Sequence, residues 1–120
     1  MRILLIDDDA NLREILAEML TDAGYEVVEA RNGTEGVKLY RNKPFDLVVT
    51  DLLMPEKDGL EVVMELRKDF PKVKIITLSG GTAYGASLET SRVLGAARTL
   101  RKPFLEAELL EAVQEVLESK

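Results

Sequence analysis

Five short apolar runs separated by stretches of helical period constrain this chain more than any other feature. Ile3 to Ile6, Tyr25 to Val28, Phe45 to Thr50, Val73 to Leu78 and Thr99 to Leu100 have the length of strands. The segments between them space their apolar residues three and four apart, as a helix resting on a core does. Strand and helix alternating in this way favour a parallel sheet over a meander. With 120 residues the chain fits one compact domain over 1–120 and leaves no room for a second core.

In the first helix Leu12, Ile15, Leu16, Met19, Leu20 and Ala23 share a face, with Asp9 or Asn11 to start it and Gly24 just past its end. The second, around Gly33 to Asn42, has Asn32 and Glu35 at capping-box spacing. Gly36 inside it costs about 1 kcal/mol relative to Ala, so this is expected to be the weaker helix. A third runs from about Asp58 to Asp69 with Leu60, Val63, Met64 and Leu66 inward, and Pro71 prevents continuation beyond Phe70. A short fourth is expected at Ser87 to Leu94. The last follows Pro103, with Leu109, Ala112, Val113 and Val116 as its core stripe. Leu110 and Leu117 sit at the shoulder of that stripe and are expected to face a partner.

Composition narrows the chemistry. Hydrophobic residues at 46% and charged residues at 32% allow both a core and a solvated surface, unlike a disordered segment. A net charge of −6 opposes binding to phosphate backbones, so a small cation is a better partner than nucleic acid. Without Cys or His there is no thiolate or imidazole, and chemistry must rest on carboxylates, hydroxyls and lysine. The apolar run Ile3 to Ile6 leads straight into acids, which is not a signal peptide, and no stretch could span a bilayer. A cytoplasmic protein is the expectation.

In an open parallel sheet, ligands bind beyond the carboxyl ends of the strands. Those ends carry Asp7-Asp8-Asp9, Asp51, Ser79 and Lys102-Pro103. Carboxylates crowded at one edge repel one another unless a cation sits among them. Oxygen-only ligands point to Mg²⁺ or Mn²⁺, and Mg²⁺ commonly pairs one or two carboxylates with a phosphate oxygen. A carboxylate can itself accept a phosphoryl group, with Lys102 and the Ser79 hydroxyl helping to neutralise charge. Plainer readings exist for each residue. Acids at 7 to 9 suit the start of a helix, although one would suffice for that. A lone lysine is usually a surface residue, Asp58-Gly59 reads as a turn and cap, and the glycines at 80, 81 and 85 read as loop punctuation. Of those glycines, Gly80 is the best placed to offer its N–H to a phosphate.

Taken together, Ile3-Leu4-Leu5-Ile6-Asp7-Asp8-Asp9, Asp51-Leu52-Leu53-Met54-Pro55-Glu56-Lys57-Asp58-Gly59, Ser79-Gly80 and Lys102-Pro103-Phe104 resemble the response regulator receiver family. Order and spacing are kept over nearly the whole chain. The resemblance implies a flavodoxin-like (βα)5 fold, a doubly wound five-stranded parallel sheet of order 2-1-3-4-5. It implies Asp51 as phosphoacceptor, Asp8 as a direct metal ligand, Asp7 beside it through water, and Leu53 giving its backbone carbonyl to Mg²⁺. Ser79 would hydrogen-bond a phosphoryl oxygen, Lys102 would pair with Asp51 and then with the phosphate, and Pro103 would follow a cis peptide bond. The implied donor is a sensor histidine kinase or histidine phosphotransfer protein. The implied output is a downstream protein bound through the fourth helix, fifth strand and last helix, with homodimerisation on phosphorylation as a further response. Such a module catalyses only its own phosphorylation and dephosphorylation, so it is not an enzyme in the usual sense.

Two departures bear on how phosphate would be read. The family often has an aromatic residue three before the lysine, where this chain has Thr99, and two residues beyond the hydroxyl stands Gly81. Mobility is expected in the Gly-rich run from Ser79 to Gly85, and ordering of Gly80 to Ala86, with Tyr84 as the moving aromatic, is the expected response. The nearest rival is a phosphatase of the haloacid dehalogenase type, with Asp7-x-Asp9 as its first motif. It needs an acidic pair after the lysine, where this chain offers only the helix-borne Glu106, Glu108, Glu111, Glu115 and Glu118, and it leaves Asp51 to Pro55 unexplained. A flavodoxin-like cofactor binder is disfavoured by the lack of Trp and of a Ser/Thr-rich loop after the first strand. A receiver-shaped domain indifferent to phosphate is disfavoured by the intact site. At Lys120 two readings stand: a regulator acting by contact, or a receiver from a longer chain.

Overall fold

The structure, a computed structural model, describes residues 1–52, 54, 57–80 and 95–119. Along the chain run β1 (Arg2–Ile6), α1 (Ala10–Asp22), β2 (Glu26–Ala30), α2 (Gly33–Asn42), β3 (Leu47–Asp51), α3 (Gly59–Asp69), β4 (Ile75–Gly80), β5 (Arg98–Lys102) and a last helix, α4 (Glu106–Glu118). The strands form one sheet of order β2-β1-β3-β4-β5, every neighbouring pair parallel, as the resemblance implies. The helix expected at Ser87 to Leu94, the loop from Gly81 to Ala86 with Tyr84, and Leu53 lie outside the described residues.

Helices on both faces explain why the inner strands read as unbroken apolar runs rather than alternating ones. Ile3, Leu5, Leu47, Val49, Ile76 and Leu78 pack on the face covered by α1 and α4, against Leu16, Leu20, Leu109 and Val113. Leu4, Ile6, Val48 and Ile75 pack on the other face against Val37, Tyr40, Val62, Val63 and Leu66 of α2 and α3. β2, at the sheet's edge, is only partly covered.

Several inward assignments need correction. Ile15 is 51% and Met64 55% exposed, because each falls roughly 100° or more from the centre of its helix's buried stripe. Leu16, next to Ile15, and Val62 with Val63, just before Met64, take the core positions. Ala23 is exposed as well. Leu117, expected at a shoulder facing a partner, is buried in the protein's own core, while Leu110 is half-buried against the same cluster.

Local signals explain the ends. Asp9 starts α1, accepting from the N–H groups of Asn11 and Leu12. Asn32 caps α2 through Glu35 N at 2.8 Å, but the Glu35 carboxylate reaches past the cap to the N–H of Arg31. The Gly36 that weakens α2 has a reason, since a Cβ there would run into the Ile6 side chain, so the helix gives up propensity to lie close on β1. Asp58 caps α3, accepting from Glu61 N at 2.9 Å. Lys57 pairs with Glu65 of α3, and Arg41 of α2 pairs with Glu65 and Asp69. These pairs tie the segment after β3 to both helices of that face.

Candidate functional site

The parity of the strands sends Asp7, Asp51 and Lys102 to one side of the sheet's carboxyl edge. Each lies an even number of residues beyond an apolar neighbour of the α1 and α4 face, namely Leu5, Val49 and Leu100. Asp7 follows β1 directly and is fully buried. Its N–H donates to Ala30 O at 3.2 Å, its Oδ1 accepts from Asp9 N at 2.9 Å, and its carbonyl accepts from Arg13 Nη1 at 2.8 Å. Oδ2 is buried and accepts no hydrogen bond among the described residues, and the Lys102 ammonium stands 3.8 Å away.

Burial pushes the Asp7 carboxyl up to about 6. The Asp9 N–H works against this, Asp51 adds repulsion, Lys102 relieves part of it, and Asp8 adds a smaller push upward. Asp51, the last residue of β3, is 7% exposed. Its Oδ2 accepts from Lys102 Nζ at 3.3 Å, its carbonyl accepts from Thr50 Oγ1 at 3.0 Å, and the next N–H, of Leu52, donates to Leu78 O at 2.8 Å.

Asp7, exposed Asp8 and Asp51 each present one carboxylate oxygen within 4.8 Å of the others. Asp9 is spent on the α1 cap, and the acids of the run divide accordingly. Ser79 lies one residue beyond Leu78, the register partner of Asp51. It is fully buried, and its Oγ has no hydrogen-bond partner among the described residues. Gly80, the last residue of β4, pairs with Lys102, and Lys102-Pro103 is a cis peptide bond. Three hard oxygen donors, one of them a buried carboxylate oxygen without a hydrogen bond, fit a small divalent cation such as Mg²⁺.

A sequence model described as the response regulator receiver domain matches residues 3–114. The chain belongs to this family. The chemotaxis protein CheY of Thermotoga maritima is 37% identical over 116 residues, covering 96% of each chain. The response regulator receiver protein CpdR of Brucella abortus is 33% identical, covering 97% of this chain and 96% of its own. A probable transcriptional regulator, ycf27 of Porphyra purpurea, is 42% identical over 97% of this chain, which spans only 47% of that protein. Among solved structures, the response regulator TrrA from Thermotoga maritima in complex with Mg²⁺–BeF superposes with a TM-score of 0.87 at 40% identity, covering 96% and 97% of the two chains. The receiver domain thus supplies the fold in which the acidic pocket sits.

Two contributors to the receiver site escaped the sequence reading. Gly59 is more than a turn residue, because a Cβ there would collide with the Asp51 carbonyl and press on Leu52 Cα, so α3 can start this close to β3 only with glycine. Its N–H donates to Leu52 O at 3.0 Å. Its place directly after the cap residue Asp58 was the available signal. Arg13 had no signal at all, since its partners Asp7 and Glu29 are distant in sequence or reached through the backbone.

Proposed function

We propose that this chain is a phosphoacceptor receiver of a two-component phosphorelay, one domain over 1–120, in which Asp51 takes a phosphoryl group from a histidine kinase or histidine phosphotransfer protein. One observation carries the reading: Asp51 belongs both to the three-carboxylate cluster and to a hydrogen bond with Lys102. Of the three acids it is the one that hydrogen-bonds the Lys102 ammonium, which stands farther off, at 3.8 Å, from Asp7 Oδ2. A carboxylate oxygen of Asp51 attacks phosphorus, the bond from phosphorus to the donor imidazole nitrogen breaks with its electron pair left on nitrogen, and an acyl phosphate forms. Such transfer depends on alignment and charge neutralisation more than on bond chemistry in the protein. Lys102 Nζ moves from the Asp51 carboxylate to the new phosphoryl oxygens, with Ser79 Oγ and the Gly80 N–H as further donors.

Asp7, Asp8, Asp51 and the Leu53 carbonyl would hold Mg²⁺, or Mn²⁺, which when bound supplies positive charge against the carboxylates and a phosphoryl oxygen. The haloacid dehalogenase alternative draws no support from Asp9, whose carboxylate caps α1. The output is a change in the surface that includes β5 and α4, read by a downstream protein or a second copy. The domain works in the cytoplasm. No helix among the described residues is long and apolar enough to cross a membrane.

Incubation with acetyl phosphate and Mg²⁺, followed by intact mass, tests the assignment. The parent gains one phosphoryl group and Asp51→Asn gains none. Equal labelling of the Asn variant would place the acceptor elsewhere.

A further inference from the structure

Asp7 has four polar atoms, and three are committed: N–H to Ala30 O at 3.2 Å, Oδ1 to Asp9 N at 2.9 Å and the carbonyl to Arg13 Nη1 at 2.8 Å. Only Oδ2 is left toward the acidic cluster. The first two bonds come from backbone that any sequence of this fold supplies. The third comes from one side chain. Arg13, on the first turns of α1 and only 14% exposed, also donates Nε to Glu29 Oε1 of β2 at 3.1 Å. A single guanidinium therefore ties α1, the end of β1 and β2 together at the residue that turns a carboxylate into the cluster.

We propose that Arg13 is a positioning residue for the metal site, holding the Asp7 main chain so that Oδ2 faces Asp8 and Asp51. The inference rests on the reading of Asp7 and Asp8 as metal-holding residues. It makes a prediction opposite in sign to the electrostatic one. A fixed cation beside a cation site repels the ion, so on charge alone removing Arg13 tightens Mg²⁺ binding. As a positioning group, its removal weakens binding, in the way that residues hydrogen-bonded to metal ligands do. Lysine separates the two further, because it keeps the charge but has no planar fork to reach a carbonyl and a carboxylate at once.

Mg²⁺ titration of the whole chain, followed by calorimetry or amide chemical shifts, reads the difference without any phosphoryl chemistry. For Arg13→Met the Kd for Mg²⁺ rises about tenfold, and for Arg13→Lys it rises by less but in the same direction. Acetyl phosphate labelling of both variants recovers toward the parent rate at saturating Mg²⁺. Should Arg13→Met fail to fold, Arg13→Lys carries the test, since the charge account requires it to match the parent. Binding as tight as the parent, or tighter, in these variants overturns the inference and leaves the site assignment standing. A parent that binds no Mg²⁺ overturns both.

Discussion

Replacing Asp7 with asparagine should make the metal-free domain more stable at neutral pH while removing its response to Mg²⁺. The Asp7 carboxyl titrates at about 6 in the fold against an ordinary 3.8, chiefly because it is buried, with Asp51 adding repulsion. At about 1.4 kcal/mol for each pH unit between folded and unfolded titration, the gap is worth roughly 3 kcal/mol. The folded state holds the proton more tightly, so it binds more protons than the unfolded chain between 3.8 and about 6. Stability therefore falls as pH rises through that window, with no penalty below it and the full penalty above it.

Asparagine keeps the oxygen that accepts from Asp9 N and cannot ionise. After roughly 1 kcal/mol for burying the amide, a net gain of about 1–2 kcal/mol near neutral pH is expected. That moves a urea midpoint by roughly 0.5–2 M, read by circular dichroism in EDTA across the pH range. At the acid end of the range the order should reverse, the variant falling roughly 1 kcal/mol below the parent as the amide cost alone remains. Added Mg²⁺ should then raise the parent, by mass action on the native state, and leave the variant where it was. An Asn variant less stable than the parent at neutral pH in EDTA, or one with the same slope between 3.8 and about 6, would refute the crowding argument.

Gly59→Ala should cost about 1–3 kcal/mol, because its Cβ has to displace the backbone of Asp51 and Leu52. Thermal melting checks the loss, and slower labelling by acetyl phosphate should accompany it; an unchanged melting temperature would mean that α3 yields freely. Lys102→Ala should keep Mg²⁺ binding, because Nζ offers no lone pair to a metal, yet show a smaller amide-shift response to beryllofluoride than the parent. Loss of Mg²⁺ binding in that variant would mean that the lysine organises the carboxylates rather than the phosphate.

The sheet and the residues at its edge were legible because they rest on period and position. Ile3 to Ile6 and Leu47 to Val49 are apolar at every residue, which only a strand covered on both faces requires. Acids, a hydroxyl and a lysine follow the strands where ligands collect. Helix facing was less legible. The stripes of α1 and α3 contain more apolar residues than the core accepts, so Ile15 and Met64 read as inward while Val62 was passed over. Distances across the chain were not legible at all. Gly36 looked like a weakness until Ile6 was found against it, and Gly59 and Arg13 gain their meaning from atoms of Asp51, Asp7 and Glu29.

Asp7 Oδ2 and Ser79 Oγ are both buried without a hydrogen bond among the described residues, and their needs are opposite. An ionised carboxylate oxygen can only accept, so it is completed by a cation, whereas the hydroxyl has a proton to give and is completed by an anion. Each unmet need costs about 1–3 kcal/mol, and a proton-donating hydroxyl and an ionised carboxylate oxygen are best met by ions of opposite charge. On the reading proposed above, Mg²⁺ satisfies the first and a phosphoryl oxygen the second. On that reading these two atoms at the edge of the sheet are satisfied together only while a metal and a phosphoryl group are both present, which would make the edge a coincidence detector.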